Sequence, residues 1–502
     1  MNSARLRQLA RLASGFRAFA RTPLTRNQAL DIIRRQMAER ETRFLENARR
    51  LIYDNPANPY RQLLLWAGCG PGDLETSVKT RGLEKTLQQL RNNGVCLSLD
   101  EFKARAPICR RGLTIETCES DFDNPFLGTH RLEGNTSGSR GKSTRIAYDW
   151  EFITEESAHE LLLYDMHGVL DRPTALWFPV PPGIAGLHNL LMNLKTGRVP
   201  AKWFSQTPTD AMSLEARLAL RFIGRPRPEF ADLSRADKVV AWLASVRPGV
   251  VRTFGSSAVR IAQAALETGT DISGSILFAG GEPLTEERHR FINRAGLKVF
   301  PRYVATETGL VAAACPEAAA GEMHFYKDRL AVIGHDGNLL FTSLTVHAGK
   351  IMLNVELGDC GELTVKPCAC PFGDLGFDLH LANVRSNEKL TVEGMTVLVS
   401  ELHAAIEAAA GRPDCCQLWQ TQDERGLNKL VIAVSPDVTD LDESKFIAAV
   451  LDRLRRGRPG SALAADVWRQ AGTLQVVREQ PQWSQGQKML PLARKVPHAG
   501  HV

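Results

Sequence analysis

Ser275-Ile-Leu-Phe-Ala-Gly-Gly-Glu-Pro-Leu-Thr285 joins a short apolar run to a Gly-Gly pair and a helix-like stretch at 285–295. The run reads as a buried strand, the glycines as a tight turn and the threonine as the start of a helix. Thr174-Ala-Leu-Trp-Phe-Pro-Val180 is a second such strand, and 256–267 a further helix-like run. Short apolar strands alternate with helical stretches over 130–310, which predicts an α/β body. From about 320 to 400 the segments shorten, with turns at Asp336-Gly337 and Gly358-Asp359, predicting a β-rich subdomain. Helix-like runs at 401–410 and 443–457 flank Lys429-Leu-Val-Ile-Ala-Val-Ser435, predicting a small α+β unit at the C-terminal end. On the N-terminal side, 27–50 has helical periodicity, Asn55-Pro-Ala-Asn-Pro59 breaks it, and 60–107 reads as short helices.

The 502 residues allow several domains, and 43% hydrophobic with 24% charged residues excludes wholesale disorder. The net charge of +6 is unevenly placed: residues 1–50 hold twelve arginines and no lysine against four acids, a net of +8, so the rest carries −2. This argues against a nucleic-acid-binding body. Leu6, Leu9, Leu12, Phe16 and Phe19 recur at helical spacing with Arg5, Arg7, Arg11, Arg17 and Arg21 between them. That pattern fits a transit peptide, an interfacial helix, or a helix docked on the protein's own body. No apolar run reaches the ~18 residues of a membrane span, and no apolar core follows Met1, so neither an integral span nor a Sec-type signal is expected. Ten cysteines are too sparse for a disulfide scaffold, so a reducing, cytoplasmic setting is expected.

Gly134-Asn-Thr136-Ser137-Gly138-Ser139-Arg140-Gly141-Lys142-Ser143-Thr144 is the richest glycine-hydroxyl segment. Such a loop surrounds phosphate oxygens with N–H groups, hydroxyls and a lysine, or is a plain linker. It is not a Walker A loop, because position 136, five before Gly141, is Thr. In Arg302-Tyr303-Val-Ala-Thr306-Glu307-Thr-Gly309, an aromatic ring suits a base, a hydroxyl a phosphate and a carboxylate Mg2+. Each alone reads equally as a packed ring, a turn residue and a solvated acid.

Together these segments resemble the adenylate-forming superfamily of acyl-CoA synthetases, adenylation domains and luciferases, in its phenylacetate-CoA ligase-like branch. Thr136–Lys142 resembles the TSG[ST]TGKP loop, with Arg140 and Ser143 as departures. Tyr303–Glu307 resembles YGxTE, with Val304 for Gly. Leu357-Gly358-Asp359 resembles the [TS]GD element whose Asp grips the ribose, and Arg385-Ser-Asn387 the GRxDD hinge, with Val384 and Asn387 as departures. The resemblance covers about residues 130–400.

It implies an α/β fold: a large adenylate-forming N-terminal domain with a β-rich subdomain and helical N-terminal extension, plus a small mobile α+β C-terminal domain. The expected divisions are 1–125, 126–384 and 385–502. It implies activation of a carboxylic acid with ATP and Mg2+ to acyl-AMP, releasing pyrophosphate, then acyl transfer to CoA. Transfer to a carrier protein or amine, and a non-catalytic nucleotide-binding homologue, are the alternatives. The implied nucleotide residues are Thr136, Ser137, Gly138, Ser139, Gly141, Lys142, Gly280, Gly281, Glu282, Pro283, Tyr303, Thr306, Asp359 and Arg385, with Glu307 on Mg2+ and Asn387 at the hinge. The C-terminal pattern P-x-[ST]-x-[ST]-G-K is met loosely by Trp483-Ser-Gln-Gly486-Gln-Lys488, making Lys488 the expected catalytic lysine beside Thr306 and Glu307, with Lys495 as fallback. Phe254, Gly255, Ser256 and His188 are the expected acyl pocket, suited to an aryl or medium apolar acid.

Cys315, His324, Cys368 and Cys370 supply three thiolates and an imidazole, a complete tetrahedral set for structural Zn2+ or a group of buried thiols. The acid, the acyl acceptor and the oligomeric state, a homodimer included, stay open at this level.

Overall fold

The computed structural model describes residues 15–127, 131–135, 145–386, 389–411, 415–439, 441–457, 459–480 and 492–494. Its centre is a twelve-stranded sheet. In chain order the strands are β1 (Thr174–Trp177), β2 (Lys202–Ser205), β3 (Pro228–Phe230), β4 (Val250–Phe254), β5 (Ile276–Gly280), β6 (Lys298–Ala305), β7 (Gly309–Ala313), β8 (Met323–Phe325), β9 (Leu330–His335), β10 (Asn338–Ser343), β11 (Val355–Val365) and β12 (Leu379–Ser386). They lie side by side as β9-β10-β11-β12-β8-β7-β6-β5-β4-β1-β2-β3.

The sheet has two halves. β3, β2, β1, β4, β5 and β6 run parallel. From β6 to β9 every pairing is antiparallel. The split follows from connection length: helices link the parallel strands, whereas a three-residue turn, Thr306–Thr308, reverses the chain between β6 and β7. The carboxyl end of β6, where parallel pairing stops, is therefore a natural ligand crevice.

Helix α1 (Arg26–Ala38) starts at a Thr25–Gln28 capping box and packs on α2 (Trp150–Met166), which runs behind the parallel strands. Twelve of the seventeen residues of α2 are buried, Glu156, His159 and Glu160 among them. α3 (Ile184–Lys195) packs against α2 and β1. The short helices before residue 103 share a core with the antiparallel half, Tyr60, Leu63 and Leu87 packing with Leu339, Phe341 and Leu353. The basic N-terminal stripe docks on the body over its described part: the Phe16 and Phe19 rings lie 5.9 and 4.9 Å from Trp150, and Lys195 Nζ donates to the Thr22 carbonyl at 2.9 Å. Residues 1–14 lie outside the described residues.

The chain leaves the large sheet at Ser386. It then forms a hairpin of β13 (Lys389–Val392) and β14 (Met395–Leu398), and a separate four-stranded sheet of β15 (Cys416–Gln422), β16 (Asn428–Val434), β17 (Leu474–Arg478) and β18 (Leu492–Arg494) with three helices. No helix among the described residues is long and apolar enough to cross a membrane.

Candidate active site

A cavity of about 1920 Å3 opens at the carboxyl ends of β4, β5 and β6. Gly280, Gly281, Glu282 and Pro283, then Tyr303, Thr306 and Glu307, then Asp359 and Arg385, all line it. Four segments spread over a hundred residues of sequence thus meet in one space. Phe254 and His188 line it as well. Gly255 and Ser256 do not: both are buried behind the wall, where the Ser256 hydroxyl donates to Glu282 Oε1 at 2.7 Å.

The turn after β5 needs its glycine. Gly281 has φ +74°, and a Cβ there would sit 2.9 Å from the Phe254 ring. Glu282 is a brace: Oε1 also accepts from the Gly394 N–H at 2.5 Å and Oε2 pairs with the buried Arg288 at 2.8 Å. It ties the β13–β14 hairpin to the body, so its role is to hold the wall rather than to present a free carboxylate.

On the antiparallel side, Tyr303 donates its hydroxyl to Asp359 Oδ2 at 2.7 Å. Burial and the Asp359 carboxylate raise the phenol well above its ordinary pKa, so it stays a donor at neutral pH. Asp359 and Ser386 are cross-strand partners, and the Ser386 hydroxyl donates to the Gly358 carbonyl at 2.9 Å, which fixes the strand end beside Arg385.

Glu307 has a partner that its motif does not announce. Lys103 Nζ lies 2.6 Å from Glu307 Oε1, and the side chains are 7% and 9% exposed. Lys103 follows the capped turn Leu99–Phe102 and lines the cavity with Arg105. The contact that the motif assigns to Mg2+ is held here by an ammonium from the N-terminal region. A resident Mg2+ on this oxygen does not fit that arrangement.

The floor of the turn is also ionic. Gly309 has φ +73°, and a Cβ there would fall 2.0 Å from Glu156 Oε1. The missing side chain lets that oxygen accept from the Leu310 N–H at 2.6 Å. Glu156 Oε2 bonds His188 Nε2 at 2.5 Å, and Arg329 lies 3.2 Å from Oε1. Burial pushes the Glu156 carboxyl up, but His188 and Arg329 overcome it and hold the pKa down at about 2. One turn along α2, Glu160 pairs with both Arg252 of β4 and Arg302 of β6, the latter at 2.8 Å. Arg252, Arg302 and His188 all line the cavity.

The motifs did not point to Lys103, Glu156, Glu160, Arg252 or Arg329. Two signals were present: Val250-Val-Arg-Thr-Phe254 carries a charge in mid-strand, and the 150–166 run has acids at i and i+4 with no polar face to put them on.

Behind the antiparallel half, Cys315, His324, Cys368 and Cys370 place their ligand atoms within 4.8 Å of one another. His324 Nδ1 donates to the Phe377 carbonyl at 2.6 Å, which leaves Nε2 facing Cys370 Sγ at 3.2 Å. Hydrogen bonding from Cys315, with His324 adding to it, lowers the Cys370 thiol from its ordinary value. Three sulfurs and one oriented imidazole fit a zinc ion, with the carbonyl fixing the tautomer.

Thr136, Ser137, Gly138, Ser139, Gly141 and Lys142 lie outside the described residues. The strands on either side, Arg131–Asn135 and Arg145–Asp149, pair antiparallel with Asn135 opposite Arg145. Asn387 and Lys488 also lie outside the described residues.

No protein-family model matches the sequence, and comparison with curated proteins finds no match. Solved structures do match. One is 2-hydroxyisobutyryl-CoA ligase in complex with 2-HIB-AMP and CoA in the thioesterification state, at TM-score 0.58 and 16% identity over 91% of this chain and 89% of that one. Others are a malonyl-CoA ligase with methylmalonyl-CoA and AMP bound (TM-score 0.43, 14% identity, 70% and 71% covered) and o-succinylbenzoate CoA synthetase from Bacillus subtilis (0.43, 12%, 72% and 68%). The first likeness defines the class of fold: an α/β adenylate-forming ligase fold. More particularly, this chain is similar in fold to 2-hydroxyisobutyryl-CoA ligase across nine-tenths of its length.

Proposed function

We propose that this protein is an AMP-forming carboxylate ligase that makes an acyl thioester. A substrate carboxylate oxygen attacks the α-phosphorus of ATP, the bond to the β-phosphate oxygen breaks, and pyrophosphate leaves. A thiolate then attacks the acyl carbon and AMP leaves. The observation that carries this reading is the convergence of Gly280–Pro283, Tyr303–Glu307, Asp359 and Arg385 on one cavity at the ends of parallel strands.

In this reading Asp359, oriented by Tyr303, accepts the ribose hydroxyls. Thr306, Thr136, Ser137, Gly138, Ser139, Gly141 and Lys142 hold the phosphates. Lys488 meets charge at the α-phosphate. Mg2+ enters with ATP as part of the substrate. CoA is the acceptor in this reading, and Gln420, Asp423 and Pro459 from the C-terminal elements line the same cavity. The units 1–125, 126–384 and 385–502 are assigned as extension, catalytic body and mobile C-terminal domain. The Cys3His set is read as a closed zinc site with no open position. It would tie β8 to the loop carrying Ala319–Gly321, which borders the cavity.

The test is product identity. With CoA and an acid panel, ATP should yield AMP and pyrophosphate in step with thioester. Conversion to ADP and phosphate, or no turnover while nucleotide binds, contradicts the reading.

A further inference from the structure

One helix between the parallel strands is apolar on two sides. α4 (Leu214–Ile223) follows β2 and leads into β3. Leu220 is buried in the body core, with Ala216 and Ile223 packed beside it. Leu214, Leu218 and Phe222 are instead 67%, 45% and 41% exposed. They stand four residues apart, so they form one line of about 12 Å along the helix. Arg217 and Arg221 follow Leu214 and Leu218 at i+3, which sets a row of arginines beside the apolar line. Arg225 and Arg227 come just past the helix end, and all four arginines are exposed. Water is a poor neighbour for a contiguous line of leucine and phenylalanine, so such a line marks a surface that something covers.

The helix over 15–21 lies against the same face. Phe16 meets Phe222 edge to face at 5.7 Å, and the Arg17 guanidinium lies 5.4 Å from the centre of the Phe222 ring. Arg17, Arg21 and Arg26 are exposed. Residues 1–30 hold six arginines and no acid, a net of +6, and residues 210–228 hold four arginines and two acids, a net of +2. The whole chain is only +6, so everything else carries −2. The excess basic charge of the protein is gathered around its exposed apolar line.

We propose that this face, α4 with the 15–21 helix beside it, docks on an anionic lipid surface. Leu214, Leu218 and Phe222 enter the boundary between headgroups and acyl chains. Arg217, Arg221 and Arg225 stay at headgroup level and donate to phosphate oxygens. Charge selects this occupant. A second copy of the chain would set two rows of arginine against each other, and the Leu6–Leu12 segment carries Arg7 and Arg11 of the same sign. A nucleic acid would pair with the arginines but gain nothing from three exposed apolar side chains. The inference does not depend on the adenylation reading.

The experiment floats the full chain with vesicles of phosphatidylcholine alone and of phosphatidylcholine and phosphatidylserine in equal parts. The partition coefficient should be at least ~10-fold higher on the anionic vesicles and should fall as salt is raised. Leu214→Ser combined with Leu218→Ser should lower it by at least ~10-fold. Arg221→Gln combined with Arg225→Gln should lower it by at least ~5-fold and flatten its salt dependence. Equal partition onto the two vesicles, no partition onto either, or partition that both variants leave unchanged overturns the proposal. So does a wild-type dimer in sedimentation equilibrium that the Leu214 and Leu218 variant converts to monomer, which would give the line to a second copy.

Discussion

The two halves of the sheet meet the cavity with different chemistry. The parallel half presents buried ions: Glu156 and Glu160 on α2 against His188, Arg252 and Arg302, joined by Arg329 from just before β9 in the antiparallel half, all below a tenth exposed. The antiparallel half presents a neutral donor on an acid, Tyr303 on Asp359, and behind it a sulfur and imidazole cluster. The difference is one of purpose. Charges in the parallel half are held rigid in low dielectric, where each loses heavily if its partner is removed. The antiparallel half keeps its polar groups at strand ends and turns, where a nucleotide can compete for them.

The largest effect should come from the buried ions on α2, which both halves touch. Glu156→Gln removes the carboxylate shared by His188, Arg329 and the Leu310 N–H, and should lower unfolding free energy by about 3–5 kcal/mol in urea titration. A loss below about 1 kcal/mol would make this network no more than surface pairing. The same carboxylate sets an acid limb. Its folded pKa of about 2 lies below its ordinary 4.5, so the unfolded chain binds more protons between those values. The stability it adds is complete above about pH 4.5 and is lost as pH falls toward 2. Thermal midpoints of the wild type should therefore drop over that window more steeply than those of Glu156→Gln.

Next in size is the pair that crosses to the antiparallel half. Lys103→Met leaves Glu307 buried without its ammonium, and Glu307→Gln does the reverse. Each should reduce acid-dependent exchange by at least ~10-fold. Unchanged exchange in both would remove these residues from the site. The metal cluster comes third. Purified protein should hold about one equivalent of zinc, and Cys370→Ser should lose it, read by elemental analysis. Metal-free wild type that melts normally would reject the site. The smallest effect belongs to a pair outside both halves: Asp165→Asn breaks the half-exposed Arg26–Asp165 contact and should cost about 0–1 kcal/mol.

How much was readable in advance follows the same division. The strand–turn–helix at Ser275–Thr285 was legible because a tight turn demands a glycine at positive φ; the turn expected at Gly358-Asp359 instead lies within β11, where Gly358 takes φ +80° without ending the strand. The Cys3His group was legible because few other roles assemble those four residue types. The buried ions were not, because pairing between residues 160 and 252, or 156 and 329, depends on which helix lies across which strand. Ser256 was given a pocket role by position; packing instead turns its hydroxyl onto Glu282, away from the cavity lining. Lys103 stands about two hundred residues from Glu307, and nothing local marks it.

The central claim is that this cavity adenylates a carboxylic acid. Exchange of labelled pyrophosphate into ATP, measured on the full chain without thiol, tests it most directly. Exchange should appear only when a suitable acid is added and should fall sharply in Glu307→Gln. Nucleotide binding without exchange for any acid would contradict it.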